Sequence, residues 1–367
     1  MSRAGFRPVL VADWDTVAIE TLKANGKDGR SYTAGWPVKC QDVRTVSYEG
    51  FGEVDLLSAG PPCQPFSPAG RLLGESDDRN MFSEVVRAVR EVRPRAFVVE
   101  NVRGLTFDRY SDYFEYLLAQ LSVPSMAMQR GWTRRSHVAR LRAVTAEAHE
   151  YRLDWRLLDA ADFGAPQHRV RLVVVGVRAE EPDFKWPEAT HSRDALFEAL
   201  KGDGYWDEHG IYSEDTRRRV RSRLPKRDLS PVGARWRTVR DVMMSLGRPA
   251  RTNAGADHSH VSVPGARLYS KHSGSVLDFP AKTVKAGVHG CPGGEHVVVR
   301  DNGTHRYFSV RECAVIQGFP GDYLLPKVRT QAMRLLGNAV PVPLAEALGR
   351  SLAKGLIREQ RDERRAS

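Results

Sequence analysis

No apolar run in the chain approaches the roughly 18 residues that a membrane span needs, so neither a transmembrane segment nor a membrane partner is expected. The opening Met1-Ser2-Arg3-Ala4-Gly5-Phe6 lacks the apolar stretch and small-residue cleavage site of a secretory signal, which points to the cytoplasm. Cysteine is scarce. Cys40, Cys63, Cys291 and Cys313 are scattered with no C-x-x-C pair, so neither a disulfide framework nor a zinc ribbon is indicated. No internal repeat is visible, and a solenoid is not expected.

What is present is an ordinary globular composition, 41% hydrophobic and 28% charged, which supports a buried core rather than a disordered chain. At 367 residues that core is expected to divide into two lobes, because single cores stop growing a little below this size. The net charge of +11 fits a polyanionic partner, since cationic side chains that neutralise phosphates release counterions. A solvated basic surface explains the charge equally well. The arginine-dense stretch from Arg217 to Arg237 leaves the same choice open, between a DNA-facing element and a charged surface helix.

The first half alternates short apolar runs with helical patterns, the signature of an α/β unit with a parallel sheet. Strands are expected over Val9 to Ala12, Val54 to Ser58, Ala96 to Glu100 and Arg171 to Val177; helices are expected over Asp15 to Ala24, Phe82 to Val92 and Tyr113 to Leu121. Ligands of such sheets sit beyond the carboxyl ends of the strands, where this chain places Asp13-Trp14-Asp15, Gly60-Pro61-Pro62-Cys63 and Glu100-Asn101-Val102. From about Glu180 the pattern loosens, and order returns near Ser309.

Three of these features carry chemistry. A free thiol with a pKa near about 8.5 is mostly protonated at neutral pH, so a nucleophilic cysteine needs an electropositive site. Cys63 is aimed by two prolines at a strand end, although a cysteine in that setting, read alone, is more often structural. Glu100 ends an apolar strand, where a carboxylate must be paired or shifted in pKa and is placed to donate a proton. Gln167-His168-Arg169-Val170-Arg171 enters another strand with two guanidiniums on one face, the plain alternative being edge-strand solubility.

In chain order these pieces resemble the cytosine-C5 DNA methyltransferases, chiefly bacterial modification enzymes. Gly60 to Gln64 is similar to the family's nucleophile loop, Asp78-Arg79-Asn80 to the segment that follows, and Glu100-Asn101-Val102 to its E-N-V motif. Gln167 to Arg171 resembles the Q-x-R-x-R strand, Arg311 to Pro320 the R-E-x-x-x-x-Q-G-F-P segment, and Gly337 to Pro341 the G-N-A-V-P motif. The resemblance covers most of the chain and implies a Rossmann-like methyltransferase sheet with helices on both faces, plus a smaller, irregular target recognition domain. Residues 1–180 are then the catalytic domain, 181–325 the recognition domain and 326–367 a segment returning to the catalytic domain.

The activity implied is methyl transfer from S-adenosylmethionine to C5 of a cytosine flipped out of duplex DNA. Cys63 would attack C6, Glu100 would protonate N3, and Arg169 and Arg171 would hold the base and loop near developing charge. By the same resemblance Gln64, Ser67, Arg71, Arg79, Gln167 and Thr283 would meet DNA. Asp13, Trp14, Asp42, Pro61, Asn338 and Val340 would hold the cofactor, although Trp14 taken alone is better read as core packing. The resemblance further implies a monomer at the bacterial nucleoid, with a cognate restriction endonuclease encoded nearby as a candidate partner.

Two departures qualify it. The glycine-rich D-x-F-x-G-x-G turn with which such chains normally open has no counterpart here; a start placed too far downstream is the preferred explanation, over a degenerate protein or a strand supplied by another chain. If the sequence is what the cell makes, the expectation is a sheet short of a central strand and weak cofactor binding, with a catalytically impaired DNA-binding protein as the alternative reading. Met126 to His149 adds a basic segment, either a DNA-facing loop or, the reading preferred from sequence, an ordinary surface insertion. His258, His260, His289, Cys291 and His296 crowd the variable region, but their spacing fits no standard zinc pattern and no metal is expected.

Overall fold

The computed structural model describes residues 1–27, 32–62, 81–251, 257–268, 273–287 and 296–366, with the backbone alone from residue 357. A four-stranded sheet forms the centre of the first lobe. Its strands are β3 (Leu56–Ala59), β4 (Ala96–Val102), β5 (Tyr151–Asp159) and β6 (Val170–Arg178), in the order β3-β4-β6-β5. β1 (Val11–Asp13) and β2 (Val38–Cys40) pair in parallel as a separate two-stranded sheet.

The helices between them form where apolar residues recur at helical spacing. α1 (Thr16–Ala24) starts at Asp15, whose carboxylate accepts the Val17 N–H at 3.0 Å. α2 (Phe82–Val92) buries Phe82, Val85, Val86 and Val89, an i, i+3, i+4, i+7 stripe, and ends at Arg93 in the left-handed region just before Pro94. α3 (Ser111–Ser122) buries Phe114, Leu117 and Leu121. Both helices cover one face of the sheet against Phe97, Val99, Leu172 and Val174.

The opposite face, carrying Ala96, Val98, Val173, Val175 and Val177, is covered by Leu344, Leu348, Leu352 and Leu356 of α11 (Val342–Ala366). β4 and β6 are therefore buried on both sides, which is why their sequences read as continuous apolar runs. Their direction is not parallel, as the sequence pattern suggested. β3 and β4 are parallel, but β6 runs antiparallel to both β4 and β5. A strand buried on both faces carries no sequence mark of its direction, and the α4 hairpin that feeds β5 (α4, Arg134–Arg142) leaves β5 and β6 as direct antiparallel neighbours.

The stretch expected to be irregular contains helices. α5 (Arg193–Lys201), α6 (Gly204–Glu208) and α7 (Glu214–Arg221) enclose a small core of Leu196, Leu200, Tyr205, Trp206 and Val220, flanked by the short parallel pair β7 (His191–Ser192) and β8 (Ala234–Arg235). A further core joins α8 (Val239–Leu246), α9 (Val310–Ile316) and α10 (Arg329–Asn338) to a three-stranded sheet of β9 (Ser275–Val276), β10 (Val297–Val299) and β11 (His305–Tyr307). That core includes Leu325, Ala332 and Met333, so it runs across position 325, where the sequence placed a domain boundary. Among the described residues no helix is long and apolar enough to cross a membrane.

Candidate active site

β3 and β4 lie side by side with Ala59 opposite Val99, which brings Gly60 alongside Glu100. A Cβ added at Gly60 would stand 3.8 Å from Glu100 Oε2. The next residue of β4 fastens the loop: Asn101 Nδ2 donates to the Pro61 carbonyl at 3.1 Å, and both groups are buried. Pro62 turns outward into solvent. Cys63, Gln64, Ser67, Arg71 and Arg79 lie outside the described residues.

Glu100 faces β6. It sits opposite Val173, so Arg171 is its diagonal neighbour on the same face of the sheet, and Arg171 Nε lies 2.8 Å from Glu100 Oε1. Burial pushes the Glu100 carboxyl above its usual range and outweighs Arg171 and Arg169, which pull the other way. Burial thus works toward the protonated acid, the form that can donate a proton, and against the pull of the two guanidiniums.

Arg169 does something different from its neighbour. It is 2% exposed, which excludes the edge-strand solubility reading, and β6 is an interior strand in any case. Its guanidinium donates to the Val284 carbonyl at 2.7 Å, to Gly337 at 2.6 Å and to Ala339 at 3.0 Å. It thus buckles the 281–286 segment to the G-N-A-V-P segment behind Glu100. Asp159 steadies this strand entry by accepting from His168 Nδ1 at 2.8 Å and from the Arg169 and Ala161 amides. Burial would raise the Asp159 carboxyl, but these hydrogen bonds hold it below the usual range.

Gln167, expected at the DNA, is fully buried and reaches no surface. Its amide donates to Gln317 Oε1 at 2.6 Å and to the Ile316 carbonyl, and accepts from the Val284 N–H at 3.1 Å. Gln317 in turn donates to the Leu336 carbonyl. Three segments that are distant in sequence are therefore knotted together by two glutamines, a role that no local pattern around either residue signals. Thr283, also expected at DNA, donates its hydroxyl to the His168 carbonyl at 2.7 Å.

The glycine of G-N-A-V-P is fixed by the same packing. A Cβ at Gly337 would lie 2.0 Å from the Ala286 nitrogen and 2.3 Å from its Cα, both main-chain atoms that cannot step aside. Gly337→Ala is accordingly expected to destabilise the protein by about 1–3 kcal/mol. Urea unfolding should show a lower midpoint with an unchanged slope; a wild-type midpoint would contradict the close approach.

At the end of β1, Asp13 is exposed and accepts the Asp15 N–H at 2.9 Å. Trp14 is 74% exposed, so the core-packing alternative does not hold and a flat indole face stands open beside that carboxylate. Asp42 caps the turn after β2, with both oxygens engaged by Arg44 and its carboxyl held low by that guanidinium. Asn338 is exposed and Val340 half-buried at the junction of α10 and α11. An unpacked indole beside an exposed carboxylate at a parallel strand end fits the adenosyl part of a nucleoside cofactor, which offers a planar base and vicinal hydroxyls.

The histidines of the variable region do not converge among the described residues. His258 bonds the Leu325 carbonyl, His260 bonds Ser309 and His296 accepts the Lys285 N–H, while His289 and Cys291 lie outside the described residues. Elsewhere Glu208, His209 and Asp241 do converge, but Arg235 lies 3.1 Å from Glu208 and 2.8 Å from Asp241 and neutralises both carboxylates.

The pattern of C-5 cytosine-specific DNA methylases matches residues 1–123 and 136–354. The type II methyltransferase M.NgoMIV of Neisseria gonorrhoeae is 29% identical over 366 residues, covering 98% of this chain and 94% of its own length. M.NaeI of Lentzea aerocolonigenes is 28% identical over 372 residues, 100% of this chain and 74% of its own. Among solved structures, the S. pombe Dnmt2 methyltransferase superposes with a TM-score of 0.54 at 18% identity over 95% of this chain and 91% of that one, a likeness of fold. With the Pro-Pro entrance, the buried Glu100 and the G-N-A-V-P junction assembled on this methyltransferase sheet, the chain belongs to the C-5 cytosine-specific DNA methylase family and is a DNA (cytosine-5-)-methyltransferase.

Proposed function

We propose that the protein methylates C5 of a cytosine flipped out of duplex DNA, through a transient bond between Cys63 and C6 of the ring. The observation that carries this reading is Glu100, a buried acid with a raised carboxyl pKa, set beside Gly60 and the Pro61 carbonyl that Asn101 holds. Cytosine is too electron-poor at C5 to be methylated directly. Attack of the Cys63 thiolate on C6 pushes the C5–C6 π electrons toward N3, where Glu100 delivers a proton, and C5 becomes an enamine carbon.

When bound, S-adenosylmethionine supplies an electrophilic methyl group on a sulfonium. C5 would take that methyl as the methyl–sulfur bond breaks and the cofactor leaves as a neutral thioether. C5 then loses its proton to a base, that electron pair re-forms the C5–C6 double bond and expels the Cys63 thiolate, and N3 returns its proton to Glu100. Arg171 orients the Glu100 carboxyl through its 2.8 Å contact. Arg169, Gln167 and Thr283 act as positioning residues that hold the wall behind Glu100. Asp13, Trp14, Asp42, Pro61, Asn338 and Val340 form the cofactor side, and Gln64, Ser67, Arg71 and Arg79 meet the DNA backbone. The helical region after Glu180 reads the target sequence from the major groove.

Labelled methyl groups should appear as 5-methylcytosine in mixed-sequence duplex DNA and not in tRNA. Label in tRNA alone, or in no duplex at all, would overturn the reading.

A further inference from the structure

The basic segment 126–149 carries Arg130, Arg134, Arg135, Arg140 and Arg142 against a single acid, Glu147. The family match leaves out residues 124–135, so Arg130 and Arg135 lie outside it and Arg140 inside it. It is built as a rigid element. Thr133 and Ser136 form a capping box at the start of α4, and Leu141 is buried. His137 is fully buried, with one ring nitrogen 2.8 Å from Tyr116 Oη and the other 2.7 Å from the Met126 carbonyl.

That framework presents cations to solvent. The Arg140 guanidinium lies 4.4 Å over the Trp132 ring, and Arg134 lies over Tyr116 while donating to the Asp112 carbonyl at 3.1 Å. Arg142 has a carboxylate, Glu115, at 3.1 Å. Arg130, Arg135 and Arg140 are exposed and have no acidic partner among the described residues. α7 is as rich in arginine and makes the contrast. There Arg217 faces Asp203, Asp207 and Glu214, Arg218 faces Asp215, and Arg221 faces Asp203. Three of the four α7 arginines are thus neutralised by carboxylates, Arg219 bonding only the Asp301 carbonyl and Thr216, whereas Arg130 and, on α4, Arg135 and Arg140 meet no carboxylate among the described residues.

Position supports the same partner. Arg134 ties the start of α4 to Asp112 at the start of α3, and α3 follows the end of β4 that carries Glu100 and Asn101. The start of α4 is thereby fixed on the side of the sheet where β4 ends, within the span of a long polyanion. We propose that Arg130, Arg135 and Arg140 form a second phosphate-contact surface, which grips the duplex beside the target site and adds affinity without sequence preference. The proposal rests on the duplex-DNA reading above.

The test compares wild type with Arg130→Gln/Arg135→Gln/Arg140→Gln on two duplexes, one confined to the target site and one extended well beyond it. Affinity is followed against salt concentration. On the extended duplex the slope of log K against log salt should fall by up to about 2.7, since each phosphate contact contributes about 0.9. On the short duplex slope and turnover should be unchanged, and lysine at the same positions should restore the long-duplex slope. An unchanged slope on the extended duplex overturns the proposal, as does a loss that lysine fails to restore. A wild-type protein that binds no duplex overturns the functional reading along with it.

Discussion

Cys63→Ser is expected to lower methyl transfer by about 10⁴-fold or more while leaving the fold and duplex binding intact. A serine hydroxyl is not ionised near neutral pH, and without attack on C6 the ring never gains the electron density that C5 needs. The loss therefore falls on the chemical step and not on association. Single-turnover rates with saturating duplex separate the two, and a variant within tenfold of wild type would remove Cys63 from the mechanism.

Glu100→Gln is expected to lower the transfer rate by about 10²–10⁴-fold, the usual worth of a positioned acid. The amide can still hydrogen-bond the base edge but has no proton to give N3. The pH dependence distinguishes this role from a structural one. Burial raises the folded-state pKa of Glu100, so the stability and activity that depend on its neutral form are complete below the ordinary carboxylate range and decline as pH rises through the raised value. Wild-type rates should show that alkaline limb and the glutamine variant should lack it. A variant whose pH profile is merely scaled down would point to a packing defect, since only loss of the titrating acid removes the limb.

Much of this site was legible because its residues sit where strands end, and strand ends follow apolar runs that sequence displays openly. The expected strand at Ala96 to Glu100 and helix at Phe82 to Val92 correspond to Ala96–Val102 and Phe82–Val92. What stayed hidden depends on neighbours far along the chain. Gln167 is expected at DNA only by resemblance, and nothing local signals its burial, which comes from Gln317 and Val284, more than a hundred residues away. Arg169 and Arg171 share one strand face by spacing, yet one clamps three carbonyls and the other meets Glu100, a division set by the packing of α10. Trp14 misled in the opposite direction, since tryptophan is usually packed and this one is not. α4 was unreadable as a helix because its buried stripe consists of only His137 and Leu141.

The covalent bond between Cys63 and the cytosine ring is tested most directly with duplex DNA carrying fluorine at C5 of its cytosines, incubated with the protein and S-adenosylmethionine. Once C5 has accepted a methyl group, fluorine cannot leave as a cation, the ring cannot re-form its double bond, and Cys63 is not expelled. The expected result is a protein–DNA complex that survives denaturation, maps to the peptide containing Cys63 and is absent in Cys63→Ser. Protein that methylates unmodified duplex yet forms no such complex, or forms it through another residue, would contradict the account.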